Sequence, residues 1–193
     1  MDPSGIFSTS YARDRALIRT RAQWVALALF IGILLIYPWF ASARLVAIAN
    51  LMLVTSIVVV GLQITTGYAG QINLGQAAFM GVGAYAASVI EVKAGLPFWV
   101  AVPVGGLVAA LAGWLFGLTA ARIKGFYLAL TTIAAQFIFH FMVLNLPSDW
   151  LGGVNGFSLQ PAQLGAFVFN TDRSLYYLFL VVTLVMVFGA IMP

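Results

Sequence analysis

Charge is what this chain has least of. Only 7% of its 193 residues are charged, against about 25% in a soluble domain, so it cannot cover a water-facing surface. Cysteine is absent, which removes disulfides, thiol catalysis and thiolate metal sites. There is one histidine, His140, and none of the five acidic residues falls within an apolar run, so neither a metal-ligand cluster nor an acidic proton relay is available. Segments of about ten residues with alternating polarity are also missing, which excludes a membrane-spanning β-barrel. The net charge of +4 arises from basic residues that flank apolar runs and form no groove-sized patch. They read as topology determinants and argue against a nucleic-acid partner.

What the chain has is apolar length. It is 63% hydrophobic, and five apolar tracts free of charged residues cover 22–43, 45–90, 94–121, 125–148 and 174–193. Each can hold one span of about 20 residues, and the second holds two. The expected fold is an all-α polytopic membrane protein with about six membrane-embedded helical segments. A polar segment, 1–21, precedes a single transmembrane domain, 22–193. Its spans are expected at about 22–42, 45–65, 67–90, 98–121, 126–146 and 174–192, with a loop over 147–173. The first apolar run, with Ala41-Ser42-Ala43 after it, has the outline of a signal peptide. It exceeds the usual 7–15 apolar residues and further helices follow, so it reads as an uncleaved span. The last tract stops at Pro193 without a charged flank, so the sequence is expected to be incomplete at its C-terminus.

The 46 residues from Leu45 to Ile90 would make one helix of about 69 Å, more than twice a hydrocarbon core of about 30 Å. The tract must turn, and Thr65-Thr66-Gly67 is the natural breakpoint. Beyond it lies a glycine-rich segment that can be discontinuous, with Gln71, Asn73 and Gln76 bringing amides into apolar surroundings. Interrupted backbone at that depth survives only against protein or a water-filled cavity. From Leu74 the segment can be helical, and Ala77, Gly81, Ala84 and Ser88 then share a face of small residues suited to close helix packing. Gly106, Ala110, Gly113 and Gly117 repeat that spacing in the next span. Thr132, Gln136 and His140 recur at i, i+4 and i+8, a polar stripe on one face, with His140 expected as a hydrogen-bonded packing residue. Two nucleotide signatures fail. Gly81–Ala86 fits G-x-G-x-x-A but follows no strand, and Gly70–Gly75 is followed by Gln76-Ala77 where a phosphate loop needs Lys and Ser or Thr.

GYAGQINLGQAAFMGVGAY, RIKGFYLALTTIAAQF and LGGVNGFSL, in this order, resemble the permease subunits of branched-chain amino acid ABC transporters. The resemblance covers roughly residues 45–160. It places the family's glycine-rich motif on Gly67, Tyr68, Gly70, Gln71, Gly75, Gly81, Gly83 and Tyr85, and its loop motif on Gly152, Gly153, Asn155 and Gly156. It implies a multi-pass bacterial inner-membrane subunit that takes a small amino acid from a periplasmic binding protein. A second permease subunit and two cytoplasmic ATPase subunits would complete the importer. Such a subunit sits in lipid, performs no covalent chemistry and needs no cofactor or metal. Relatives carry urea or short amides, so those remain alternative substrates. An ion-coupled secondary transporter with a midplane site is a further alternative. It lacks a second copy of the glycine block and an acidic residue in any span. A membrane scaffold would not need the polar stripe.

A zwitterion crossing the bilayer needs hydrogen-bonding groups without a fixed charge to trap it. Gln71, Asn73 and Gln76, with Gln136, are therefore the candidate lining of the substrate pathway, and interhelical hydrogen bonding is an equally weighted role for them. If 67–90 crosses, Arg13, Arg15, Arg19, Arg21, Arg122 and Lys124 share one side, against Arg44, Lys93 and Arg173 on the other. A re-entrant segment gives the same six-to-three division, so charge leaves both open. Either way the arginine cluster puts the N-terminus in the cytoplasm. With 67–90 crossing, single cysteines at Ser4, Lys124 and Ser158 probed by an impermeant thiol reagent in intact cells should label at Ser158 alone. Labelling at Lys124 but not at Ser158 would reverse this topology.

Overall fold

The computed structural model describes residues 21–120, 123, 125–147, 152, 156–164 and 167–191. Residues 1–20, most of the expected N-terminal segment, lie outside them, as do Arg122 and Lys124. Among the described residues, six helices are long and apolar enough to cross a membrane. The chain divides into two compact units, Met1–Val46 and Ala47–Pro193. In the first, helix α1 (Arg21–Phe40) carries Pro38 in its last turn and ends there. A break at Ala41–Ser42 follows, and the Tyr37 hydroxyl donates to the Leu45 carbonyl across it at 3.4 Å.

Helix α2 (Ala43–Gln63) runs into the second unit. Its hydroxyls are satisfied internally: Thr55 donates to the Leu51 carbonyl at 2.7 Å and Ser56 to the Met52 carbonyl at 2.8 Å. Such bonds to the preceding turn let polar side chains sit in an apolar helix. The helix then widens into a π-helical turn, Ile64–Tyr68, at the predicted breakpoint. An irregular stretch leads to α3 (Gln76–Ala94), which Gly95 ends at φ +65°, the left-handed conformation that favours glycine at a helix C-terminus. Helix α4 (Phe98–Ala120) returns antiparallel to α3, and α5 (Phe126–Asn145) runs back alongside it.

The α3–α4 seam is built by backbone proximity. A Cβ on Gly105 would lie 2.6 Å from the Gly83 carbonyl oxygen, 2.8 Å from the Ala87 Cβ and 3.0 Å from the Ala87 nitrogen. Only glycine fits there. The expected stripes are thus shifted. On α3, Gly81 faces the Phe139 ring of α5, whereas Ala77 and Ala84 are exposed. On α4 the tightest seam position is Gly105, Gly113 of the expected stripe lies against Phe79, and Gly106 and Gly117 have no other atom within 4 Å of where a Cβ would sit.

A two-stranded antiparallel hairpin, β1 (Ala162–Leu164) and β2 (Phe167–Phe169), interrupts the loop before α6 (Asp172–Ile191). The Trp99 indole N–H donates to the Gln163 carbonyl at 2.7 Å, and the Trp99 ring meets Phe169 edge-on at 6.2 Å, fastening the hairpin to the start of α4. On α6, Tyr176, Leu180 and Thr183 form a buried stripe at i, i+4 and i+7. Asn50 of α2 donates to the Asp172 carbonyl at the start of α6 at 3.0 Å, a hydrogen bond between helices. We expect Gly105→Leu to prevent stable α3–α4 packing, with a marked fall in detergent yield and melting temperature, because backbone and not a flexible side chain would have to move. Gly106→Leu, one residue away in open space, should leave both near the wild-type values.

Candidate functional site

The irregular stretch between the π turn and α3 has left the helix ladder, and three of its N–H groups find acceptors elsewhere. The Gln71 N–H donates to the Thr65 carbonyl at 3.3 Å. The Leu74 N–H donates to the Thr132 hydroxyl of α5 at 3.1 Å, and that hydroxyl in turn donates to the Ala129 carbonyl at 2.8 Å. The Gly75 N–H donates to Asn73 Oδ1 at 2.9 Å, while Asn73 Nδ2 donates to Gln76 Oε1 at 3.0 Å. Thr65 and Thr66 donate to the Leu62 carbonyl at 2.8 and 2.9 Å, closing the π turn from within.

Glycine makes this geometry possible at three points. Gly70 has φ +61° and turns the chain. A Cβ on Gly67 would lie 2.8 Å from the Gln63 amide nitrogen. A Cβ on Gly75 would meet the Thr132 carbonyl oxygen and sit 3.0 Å from its carbonyl carbon, so the absent side chain is what lets Leu74 reach the Thr132 hydroxyl.

Beside the break lies a cleft of about 390 Å³ between α3, α4 and α5. Thr65, Gln71, Asn73, Gln76 and Thr132 line it together with Phe79 and Phe116, a T-shaped pair at 6.0 Å. None of the described residues that line it is charged. Three of the four amides read as pathway candidates therefore converge. Asn73 and Gln76 are held in the network at the start of α3, whereas the exposed Gln71 side chain makes no hydrogen bond among the described residues. Gln136 does not join them. It is exposed one turn along α5 from Thr132, and His140, also exposed, makes no hydrogen bond among the described residues, contrary to the packing role expected of it. Only Thr132 of the polar stripe turns inward. Thr65 and Thr132 line the cleft although neither was among the pathway candidates. Their signals were the Thr-Thr-Gly breakpoint and the inner end of the stripe.

The other motif positions are distributed. Tyr68 is exposed, and Tyr85 meets Phe139 edge-on at 5.9 Å on the wall of a second, apolar cavity of about 490 Å³. Gly83 is at the α3–α4 seam. In the loop, Gly152 (φ +74°) lies so close to Gly156 (φ +66°) that a Cβ would be 2.6 Å from the Gly156 carbonyl oxygen. Gly153 and Asn155 lie outside the described residues.

The family described as branched-chain amino acid transport system / permease component matches residues 44–192, which takes in the break, the cleft and every helix around them. The chain belongs to this family. Among curated relatives, it is 36% identical over 125 residues to the high-affinity branched-chain amino acid transport system permease protein LivM of Escherichia coli K12, 65% of this chain and 29% of that protein. It is 34% identical over 142 residues to the protein of the same description in Salmonella typhimurium LT2, 74% of this chain and 33% of that protein. The chain thus spans about a third of the length of these relatives. No solved structure matches it.

Within the permease family's glycine-rich segment, the Leu74–Thr132 bond is the link whose removal is simplest to read. Thr132→Val is nearly isosteric but leaves the part-buried Leu74 N–H without its acceptor, a loss of about 1 kcal/mol, the low end of the range for unsatisfied groups. We expect a lower melting temperature in detergent and faster hydrogen exchange at the Leu74 amide. Exchange as slow as in the wild type would remove Thr132 from this role.

Proposed function

We propose that the chain is a membrane-spanning permease subunit of an ABC importer that moves branched-chain or similar small amino acids into the cytoplasm. The observation that carries this reading is the family match over residues 44–192, which includes an uncharged, amide-lined cleft at a break in the membrane helices. The substrate arrives from a periplasmic binding protein, a second permease subunit completes the path, and two separate ATPase subunits hydrolyse ATP. The subunit lies in the bacterial inner membrane with its N-terminus in the cytoplasm and residues 147–173 in the periplasm. Branched-chain amino acids are named for the relatives, and the neutral lining is suited to a ligand carrying both charges at once. Amides donate and accept, so they replace water around an ammonium and a carboxylate in turn without holding either.

Asn73 and Gln76 serve two ends here, since their amides also complete the start of α3. Gln71 is the cleaner probe. ATP-driven leucine import into proteoliposomes holding the full-length subunit with all its partners should fall several-fold in Gln71→Leu. Complex yield and leucine affinity of the binding protein should stay unchanged. Import at the wild-type rate would take Gln71 out of the pathway, and no import by the wild-type complex would overturn the importer reading.

A further inference from the structure

A second polar cleft lies away from the first, where the α3–α4 turn meets the hairpin loop. It measures about 470 Å³, within the roughly 300–1,000 Å³ usual for small-molecule sites, and is lined by Glu91, Leu96, Pro97, Ser158, Gln160 and Gln163 among others. Among the described residues that line it, Glu91 is the one acidic side chain. Its place is unfavourable for the helix that carries it. The last turn of α3 is the negative end of the helix dipole, where a carboxylate is repelled and a cation, such as the nearby exposed Lys93, is favoured. Among the described residues Glu91 has no ion pair and no hydrogen bond, although it is half-buried in the cleft wall. Neither helix stability nor a partner among the described residues accounts for it.

The cleft is built before any ligand arrives. Trp99 fixes the loop over the turn through its bond to the Gln163 carbonyl at 2.7 Å and its contact with Phe169. The wall then offers three chemistries at once: a carboxylate, neutral hydroxyl and amide groups at Ser158 and Gln160, and apolar surface at Leu96 and Pro97. A small amino acid presents their complements, an ammonium, a carboxylate and an aliphatic side chain. We infer that this cleft is a receiving site on the periplasmic face, where the Glu91 carboxylate takes the ammonium group of the amino acid before it enters the membrane path. The inference rests on the importer reading and adds to it a site with a fixed charge, where the amide-lined cleft has none. A charge held near the surface keeps its access to water, so it can capture without the desolvation cost that the same charge would incur at membrane depth.

The test uses the full-length subunit with its partner permease, ATPases and binding protein in proteoliposomes. Leucine import is measured against the concentration of leucine-loaded binding protein. Glu91→Gln should lower the maximal rate about tenfold, the order expected for one lost charge-assisted contact, and leave the half-saturating concentration of binding protein unchanged. Glu91→Asp, which keeps the charge, should recover most of the rate. An unchanged maximal rate in Glu91→Gln overturns the inference. So does a raised half-saturating concentration at an unchanged maximal rate, which would make Glu91 a docking contact for the binding protein instead. Should Glu91→Gln reduce complex yield, Ser158→Ala decides: its maximal rate should fall, and a wild-type rate overturns the inference. No import by the wild-type complex would overturn the importer reading and this site with it.

Discussion

A backbone N–H that leaves a helix ladder needs another acceptor, and that constraint governs the connection between α2 and α3. A buried N–H left unpaired costs free energy comparable to a lost hydrogen bond. The stretch between Tyr68 and Gln76 is irregular and exposes donors that a continuous helix would have used. Gln71, Leu74 and Gly75 are each met by a nearby acceptor: the Thr65 carbonyl, the Thr132 hydroxyl and Asn73 Oδ1. Of the three acceptors, the one on α5 ties the break to a neighbouring helix. The amides that make the segment polar are therefore in part the means by which it exists. A broken helix and a cluster of amides are one feature, since the first requires the second.

Close approach follows from the same need. For the Thr132 hydroxyl to reach the Leu74 N–H, the α5 backbone must lie against Gly75, where any side chain would collide with it. The α3–α4 seam uses the same device at Gly83 and Gly105. Apolar side chains gain little from leaving lipid for protein, so contact area at short range takes the place of the hydrophobic drive. Three helices fixed this way leave space between them, and the space is divided by polarity. Phe79 and Phe116 line both the amide-lined cleft and the apolar cavity, so this aromatic pair is their shared wall.

Much of this was legible in the residues. Tracts without charge fix the helices, because length and apolarity are all that a span requires. Thr65-Thr66-Gly67 marked the break, and Gln71, Asn73 and Gln76 converge because they are close in sequence on one irregular stretch. What periodicity could not supply was direction. Thr132, Gln136 and His140 do share a face, but only Thr132 packs inward, since in lipid a stripe carries no mark of which side is core. The glycine seam on α4 fell on Gly105, one residue before the expected stripe, for the same reason. The hairpin was out of reach altogether. Three-residue strands show no alternation to detect, and their anchor, Trp99, lies 64 positions before the carbonyl it holds.

The features left over point outward. Gln136 and His140 project from α5 without a hydrogen bond among the described residues, and Gly106 leaves open ground on α4. Polar side chains facing hydrocarbon are costly, and a glycine surface facing lipid gains nothing from its small size. Both become favourable when another helix covers them, because an amide or imidazole can then find a partner and a glycine can admit a close backbone. The second permease subunit proposed above would account for both features at once. On that reading the inner end of the α5 stripe holds this chain's own break in place, and the outer end is reserved for a neighbour.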